Sequence, residues 1–388
     1  MIDEKRIQEN LQLFSFPRIF GTADEKKAYH LAKDKIGLLK INVNSQEFNF
    51  SNFYSIVYPK IVFTIIFTII LLYFINFKGY IQDLIVLILI TVLILVVILS
   101  KRFNSFRLGK KFNSQNIYAK FDSNKMESQL FDNKKNVILI AHLDSKGQRI
   151  HIVNRVKNFI LWTISFILLV VIIILKNVIF TQYALLFYIL GVLPLALNFF
   201  SCVVIVFNNT NNDSDGALDD ASGIVCILEL LNYYSNCNQE RSLKNMDLWF
   251  VLTGAEECGT QGIRNFYKII KGNINRNQTI VLNFDSIGKN LDFVKFGIFM
   301  HKKKILTVFK RQSEKYSLKT DTRRVLFGVH TDGYFLAKRG YQGIEFGDYD
   351  SYKYLHSSKD TIDKIDPLLL KKLCEIVIDS MSEIDNLK

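Results

Sequence analysis

"MDLWFVLTGAEECG", Met246 to Gly259, reads as an apolar strand that ends on two adjacent glutamates, Glu256 and Glu257. Two carboxylates at the mouth of a buried strand repel each other and lose hydration. They need a cation or a shared proton to be stable there. Neighbouring apolar runs end in the same manner: "NVILIAHLDS" (136–145) delivers His142 and Asp144, and "TIVLNFDSI" (279–287) delivers Asp285. "NIYAKF" (116–121), "FVKFGIFM" (293–300) and "YQGIEFGD" (341–348) are further strand-like runs. Helical runs lie between them at Ser222–Tyr234, Gln261–Ile270, Asp332–Lys338 and Pro367–Met381, and "TADEKKAYHLAKDKIGLL" (22–39) begins with Thr22 or Asp24 available as N-cap. This alternation implies an α/β sheet with helices on both faces, in which chemistry gathers at the strand ends.

Two further segments complete the set. "NDSDGALDDASG" (212–223) places Asp219 and Asp220 at a helix start, and "YKYLHSSKDT" (352–361) offers His356. Imidazoles and carboxylates together suit zinc or another borderline divalent ion. Five ligands (His142, Asp219, Glu257, Asp285 and His356), one of them bridging, fit two ions roughly 3.5–4 Å apart. His142 and Asp144 are two apart in a strand and share a face, so Asp144 can accept the other ring N–H of His142. Glu256 is then left free beside a ligand, positioned to take a proton from metal-bound water. Taken singly, His142 could be a core histidine, Asp219 and Asp220 helix N-caps, and Asp285 a turn cap. Asp360 and Thr361 read as caps of the last helix, and His30, His151 and His301 as surface or membrane-flanking residues.

The 388 residues carry a net charge of +13, which suits either nucleic acid or an anionic membrane surface. Four uncharged stretches decide between them: Ile61–Phe77, Leu84–Ser100, Phe159–Leu175 and, after one lysine, Val178–Phe207. Each is apolar on every face, and 17 residues at about 1.5 Å reach roughly 26 Å, close to a hydrocarbon core. They pair into two hairpins, so the hydrophilic parts can share one compartment. Lys60, Lys101, Arg102, Arg107, Lys110, Lys111, Arg149, Arg155 and Lys157 flank the spans on that side, against Lys78 and Lys176 in the opposite turns. The asymmetry predicts a cytoplasmic soluble part and accounts for much of the basic excess without nucleic acid. The five cysteines show no CxxC spacing and read as free thiols in a reducing compartment. Residues 1–40 are polar and charged throughout, which gives no sign of a secretory signal there.

The series "HLDS" (142–145), "GALDDASG" (216–223), "GAEECG" (254–259), "NFDSIG" (283–288) and "YLHSSKDT" (354–361) resembles the di-zinc aminopeptidase family. Relatives there include glutamate carboxypeptidases, glutaminyl cyclases and the inactive domain of the transferrin receptor. The opening "FPRIFGTADEKKAYHLAKDKI" (16–36) is similar to that family's first helix. The resemblance implies a mixed, mainly parallel central sheet flanked by helices, here with two inserted transmembrane hairpins. It implies two Zn(II) ions, one held by His142, Asp219 and Asp285, the other by Asp219, Glu257 and His356. Glu256 and Asp144 are then the catalytic residues, Asp219 is the bridge, and a cis peptide is expected at Asp219–Asp220. His330 is placed near the site by the same analogy, with Asp332 structural.

Expected boundaries are 1–56 for the N-terminal part of the peptidase domain, 57–100 for the first hairpin and 101–156 for the segment with His142. The second hairpin takes 157–207 and the main peptidase part 208–388. The implied function is a membrane-anchored aminopeptidase acting on peptides with a free N-terminus. Glutaminyl cyclase, carboxypeptidase and a silent receptor-like module are the alternatives; inactive relatives lose ligands or base, whereas this chain keeps them. The chain also departs from the pattern. The second hairpin fills the 77 positions (219 − 142) between His142 and Asp219, which implies a site near the membrane. Leu355 precedes His356 where some relatives carry a tyrosine for the oxyanion, leaving Tyr352 or Tyr354 to serve.

Overall fold

The computed structural model describes residues 1–76, 80–100, 109–123, 135–237, 243–295, 303–324 and 330–386. Lys78, Lys101, Arg102, Arg107, His301 and the end of the run "FVKFGIFM" lie outside the described residues. The chain divides into two units. One comprises Met1–Asn49, Phe112–Gly147 and Asn211–Lys388, and the other Phe50–Lys111 and Gln148–Thr210.

Among the described residues, the first unit carries all or most of each of eight strands in one sheet: β1 Val43–Ser51, β2 Lys111–Phe121, β3 Lys135–His142, β4 Met246–Thr253, β5 Thr279–Phe284, β6 Leu291–Lys295, β7 Thr320–Arg324 and β8 Gln342–Gly347. Their order across the sheet is β1-β2-β4-β3-β5-β8-β6-β7. The four central strands, β4, β3, β5 and β8, run parallel. β2 and β6 join them antiparallel, and β7 pairs parallel with β6. The fold is therefore a mixed, mainly parallel sheet flanked by helices.

Burial on both faces explains why the central strands read as unbroken apolar runs. Val137, Leu139 and Ala141 of β3 join one core, and Ile138 and Ile140 join the other, the period-2 split that a strand imposes. The larger core takes residues of α1 (Glu4–Phe14), α2 (Ala23–Gly37), α7 (Ser222–Ser235), α9 (Lys303–Lys315) and α11 (Pro367–Asn386). On the opposite face lie α8 (Gln261–Ile270) and α10 (Asp332–Ala337), through Ile263, Phe266, Phe335 and Leu336. Thr22 is the N-cap of α2. Helix α1 was not expected; Asp3 caps it through the Lys5 and Arg6 amides, and Ile7, Leu11 and Phe14 are buried at helical spacing.

Among the described residues, the second unit holds four helices long and apolar enough to cross a membrane: Phe53–Ile75, Tyr80–Ile98, Ile152–Ile179 and Thr181–Phe207. Their regular α-helical parts are α3 (Tyr58–Ile75), α4 (Tyr80–Ser100), α5 (Ile152–Ile174) and α6 (Ala184–Phe207). The third helix starts at Ile152 rather than Phe159, because His151 caps it through the Val153 amide and charged Arg155 and Lys157 are tolerated near its end. Thr64, Thr68, Thr91 and Thr163 each donate to the carbonyl four residues back, so their hydroxyls are satisfied within the helix. Between helices, the buried Asn198 donates to Trp162 O and Ser165 Oγ, and Asn158 donates to Ser201 O. Lys176 is buried with its ammonium on Phe74 O, 3.8 Å from the Tyr188 ring centre. It satisfies a carbonyl at the C-terminus of α3.

Candidate metal centre

The parallel register brings the C-terminal ends of β3, β4 and β5 to one edge, with His142 opposite Thr253 and Ile140 opposite Asn283. His142 therefore ends β3, Glu256 and Glu257 follow β4 in the loop to α8, and Asp285 follows β5 directly. His356 comes from the loop after β8, and Asp219 from the kinked turn that leads into α7. These five residues, separated by up to 214 positions (356 − 142), form two groups that share Asp219. His142, Asp219 and Asp285 make one, and Asp219, Glu257 and His356 the other; within each, the donor atoms lie within 4.8 Å of one another.

Asp219 faces two imidazoles with separate oxygens. Its Oδ1 is 2.9 Å from His142 Nε2, and its Oδ2 is 3.1 Å from His356 Nε2. His356 Nε2 is also 2.9 Å from Glu257 Oε1. The peptide Asp219–Asp220 is cis. Asp220 takes the capping role considered for the pair: its Oδ1 accepts from Gly223 N at 3.0 Å, and its Oδ2 accepts from His142 N at 3.1 Å.

Asp144 behaves differently from expectation. The His142 Nδ1 lies 3.0 Å from the Asp144 carbonyl oxygen, but 3.6 Å from its carboxylate. The carboxylate instead accepts the backbone amides of Glu256 (2.9 Å) and Glu257 (3.0 Å). A backbone carbonyl two residues on is nearer the ring than the carboxylate is.

Four residues around the site carried no reading as site residues. Glu25 accepts from Ala255 N at 2.8 Å, Ser114 Oγ at 2.6 Å and Gly21 N at 2.5 Å, which ties α2 to the residue before Glu256. Burial, then the nearby charge of Asp144, raises its carboxyl to about 8. Arg18 is fully buried and donates to the carbonyls of Leu143 (2.7 Å), Phe16 (3.1 Å), Asp215 (2.7 Å) and Gly216 (2.8 Å). Asp360 is no cap of the last helix. It accepts from Leu218 N at 2.6 Å, and burial followed by the charge of Asp219 raises it to about 7. Lys146 pairs with Glu257. The signal for Arg18, Asp360 and Lys146 was proximity to the motifs, and for Glu25 the capping pattern only.

Backbone strain collects in the same loops. Ala255 (φ 50°), Thr260 (φ 57°), Ser286 (φ 64°) and His356 (φ 58°) all occupy the left-handed region, which side chains other than glycine disfavour. Gly216 (φ 60°) has the one side chain that fits, since a Cβ there would strike Ser145 and Asp219 O.

The electrostatics ask for cations. Burial lifts Glu256 well above the carboxylate range against the pull of His142, and the charges of Asp332 and Glu257 raise it further. Asp285 rises to about 6, first by burial and then by Asp219. Glu257 is held down at about 2 by His356 and Lys146, against burial, and Asp219 well below its usual value by its two imidazoles, also against burial. Glu256 Oε1 is buried with no hydrogen-bond partner among the described residues. Three carboxylates and two imidazoles, with a buried carboxylate beside them that leaves one oxygen unpartnered, are a donor set that fits borderline divalent ions.

Residues 198–381 match the model of peptidase family M28. The resemblance carried by the motifs is borne out, and the M28 match contains four of the five grouped residues; His142 precedes it. Solved structures show the same fold. An aminopeptidase from Aneurinibacillus sp. strain AM-1 is 13% identical with a TM-score of 0.56, covering 98% of this chain and 93% of that one. A zinc aminopeptidase from Bacillus subtilis is 14% identical with a TM-score of 0.57, covering 100% and 97%. A glutaminyl cyclase from Fimbriiglobus ruber is 14% identical with a TM-score of 0.55, covering 98% and 95%. No curated protein matches the sequence.

Tyr352 and Tyr354 separate in the structure. Burial, then the Glu345, Asp285 and Asp219 carboxylates, lifts the Tyr352 hydroxyl well above its usual value. The Tyr354 ring lies 5.2 Å from the Lys364 ammonium. His330 is exposed beside Tyr334, and Asp332 is buried on the Thr253 hydroxyl. Neither belongs to the metal-type groups.

Proposed function

We propose that this chain is a zinc-dependent aminopeptidase anchored in a lipid bilayer by its four apolar helices. The observation that carries the reading is Asp219, whose two oxygens each face a different histidine. His142, Asp219 and Asp285 would hold one zinc ion, and Asp219, Glu257 and His356 the second. When bound, two such ions lower the pKa of a water and polarise the scissile carbonyl.

Glu256 takes the proton of the attacking water and returns it to the leaving amine. Asp144 acts through Glu256 and Glu257 as a positioning residue, since its carboxylate grips their amides. The substrate is a peptide with a free N-terminus. The lysines and arginines flanking the helices favour a cytoplasmic peptidase unit, by the positive-inside rule.

Digestion of a peptide library by the full chain in detergent, supplied with zinc, tests the reading. Release of N-terminal residues is expected, and no release from any peptide overturns it. The glutaminyl cyclases among the similar folds support a second reading. The same library decides it, because cyclisation of N-terminal glutamine shifts mass without cleavage.

A further inference from the structure

Lys146 stands four residues after His142 in the chain, and its ammonium pairs with Glu257 Oε2. Both side chains are largely withdrawn from solvent, at 11% and 6% exposure. The other oxygen of Glu257, Oε1, is the one 2.9 Å from His356 Nε2. One proposed ligand is thus divided between a fixed lysine and the space it would share with Asp219 and His356. The other group has no such guest. His142 Nδ1 meets a backbone carbonyl, and Asp285 accepts from the Ser286 hydroxyl at 2.8 Å. Among the described residues no lysine or arginine pairs with His142, Asp219 or Asp285.

We propose that Lys146 is a built-in competitor for Glu257, which makes the Asp219–Glu257–His356 position the weaker and more readily exchanged of the two. This rests on the two-metal reading. The physical basis is direct. A lysine ammonium is a compact unit charge that repels a divalent cation, and the low effective dielectric of a buried site screens that repulsion poorly. It also satisfies a carboxylate oxygen that would otherwise be wholly available to the cation. The His142–Asp219–Asp285 position experiences neither effect at contact distance, so the two positions differ in affinity although they share Asp219.

The test is titration of the metal-stripped full chain in detergent with Zn²⁺, by calorimetry against a chelator of known affinity. Wild type should bind in two unequal events. Glu257→Gln should remove the weaker one and so assign it. Lys146→Met, which keeps side-chain length and removes the charge, should tighten the weaker event about tenfold or more, equivalent to about 1.4 kcal/mol per tenfold. It should leave the tighter event unchanged. Lys146→Arg should preserve the gap. If two events are present and Lys146→Met leaves the weaker one unchanged or weakens it, Lys146 is no competitor, while the two-metal reading stands. If neither protein binds a second ion, that reading fails and the inference with it. A thermal melt of stripped Lys146→Met reports its folding separately.

Discussion

Asp144 accepts the backbone amide of Glu256 at 2.9 Å, while its carboxylate stands 3.6 Å from the imidazole of His142. The carboxylate beside the first histidine therefore fixes the glutamate pair rather than a histidine tautomer. Asp144→Ala strands one buried and one partly buried amide and should cost about 3–6 kcal/mol of stability, at roughly 1.5–3 kcal/mol per hydrogen bond to a charged group. Its turnover should fall further than metal content does. Asp144→Asn keeps an acceptor and should recover part of both. Thermal melts and metal content on the same preparations check the order Ala below Asn below wild type.

Glu256 is buried with one oxygen unpartnered. Glu256→Gln should fold and retain bound metal, because neither metal-type group includes it. Peptide hydrolysis should fall about 10²- to 10⁴-fold, the usual contribution of a general base. Full activity in Glu256→Gln would remove it from the mechanism.

Arg18 joins the N-terminal segment to both sides of the site through four carbonyls, on Phe16, Leu143, Asp215 and Gly216. Arg18→Met removes the guanidinium from these four carbonyls, of which, among the described residues, Gly216 O alone keeps a second donor, the Ala221 amide. It should cost about 3 kcal/mol. Arg18→Lys should not rescue it, since a single ammonium cannot reproduce the planar fork. Denaturant midpoints of the three proteins give the comparison.

Glu345 is buried under the site, accepting from Thr331 Oγ1 at 2.5 Å and Asn283 Nδ2 at 2.9 Å. Burial, then the charge of Asp285, raises it to about 8 from its usual 4.5. A value raised on folding contributes stability that is complete below the unfolded value and is lost as pH rises through the folded one. The metal-free protein should therefore lose melting temperature as pH rises from about 4.5 to about 8, and level off above that. Glu345→Gln should lose less over the same interval, which melts at about pH 5 and about pH 8 measure directly.

Much of this architecture was legible because it is written in apolar runs. β3, β4 and β5 are buried on both faces, and each ends on a chemical side chain that the chain pattern isolates. The edge strand β7, "TDTRR", has no apolar residue to announce it, and β1 shows burial only toward its end. Helix α1 shows helical spacing at Ile7, Leu11 and Phe14, but most residues around these three are charged or polar and no ligand motif adjoins them. Within the site, ligand-type residues stood out by residue type and position. Arg18, Glu25, Asp360 and Lys146 did not, because their roles arise from contacts spanning 111 to 230 positions. Such contacts exist only once the sheet has formed.

The most direct test of the account is the metal content per chain of purified full-length protein, beside Glu257→Gln and Asp219→Asn. The account predicts two ions in wild type, one in Glu257→Gln and fewer than one in Asp219→Asn, which removes charge from both positions at once. Equal metal content in all three proteins, or none in wild type after zinc loading, would contradict it.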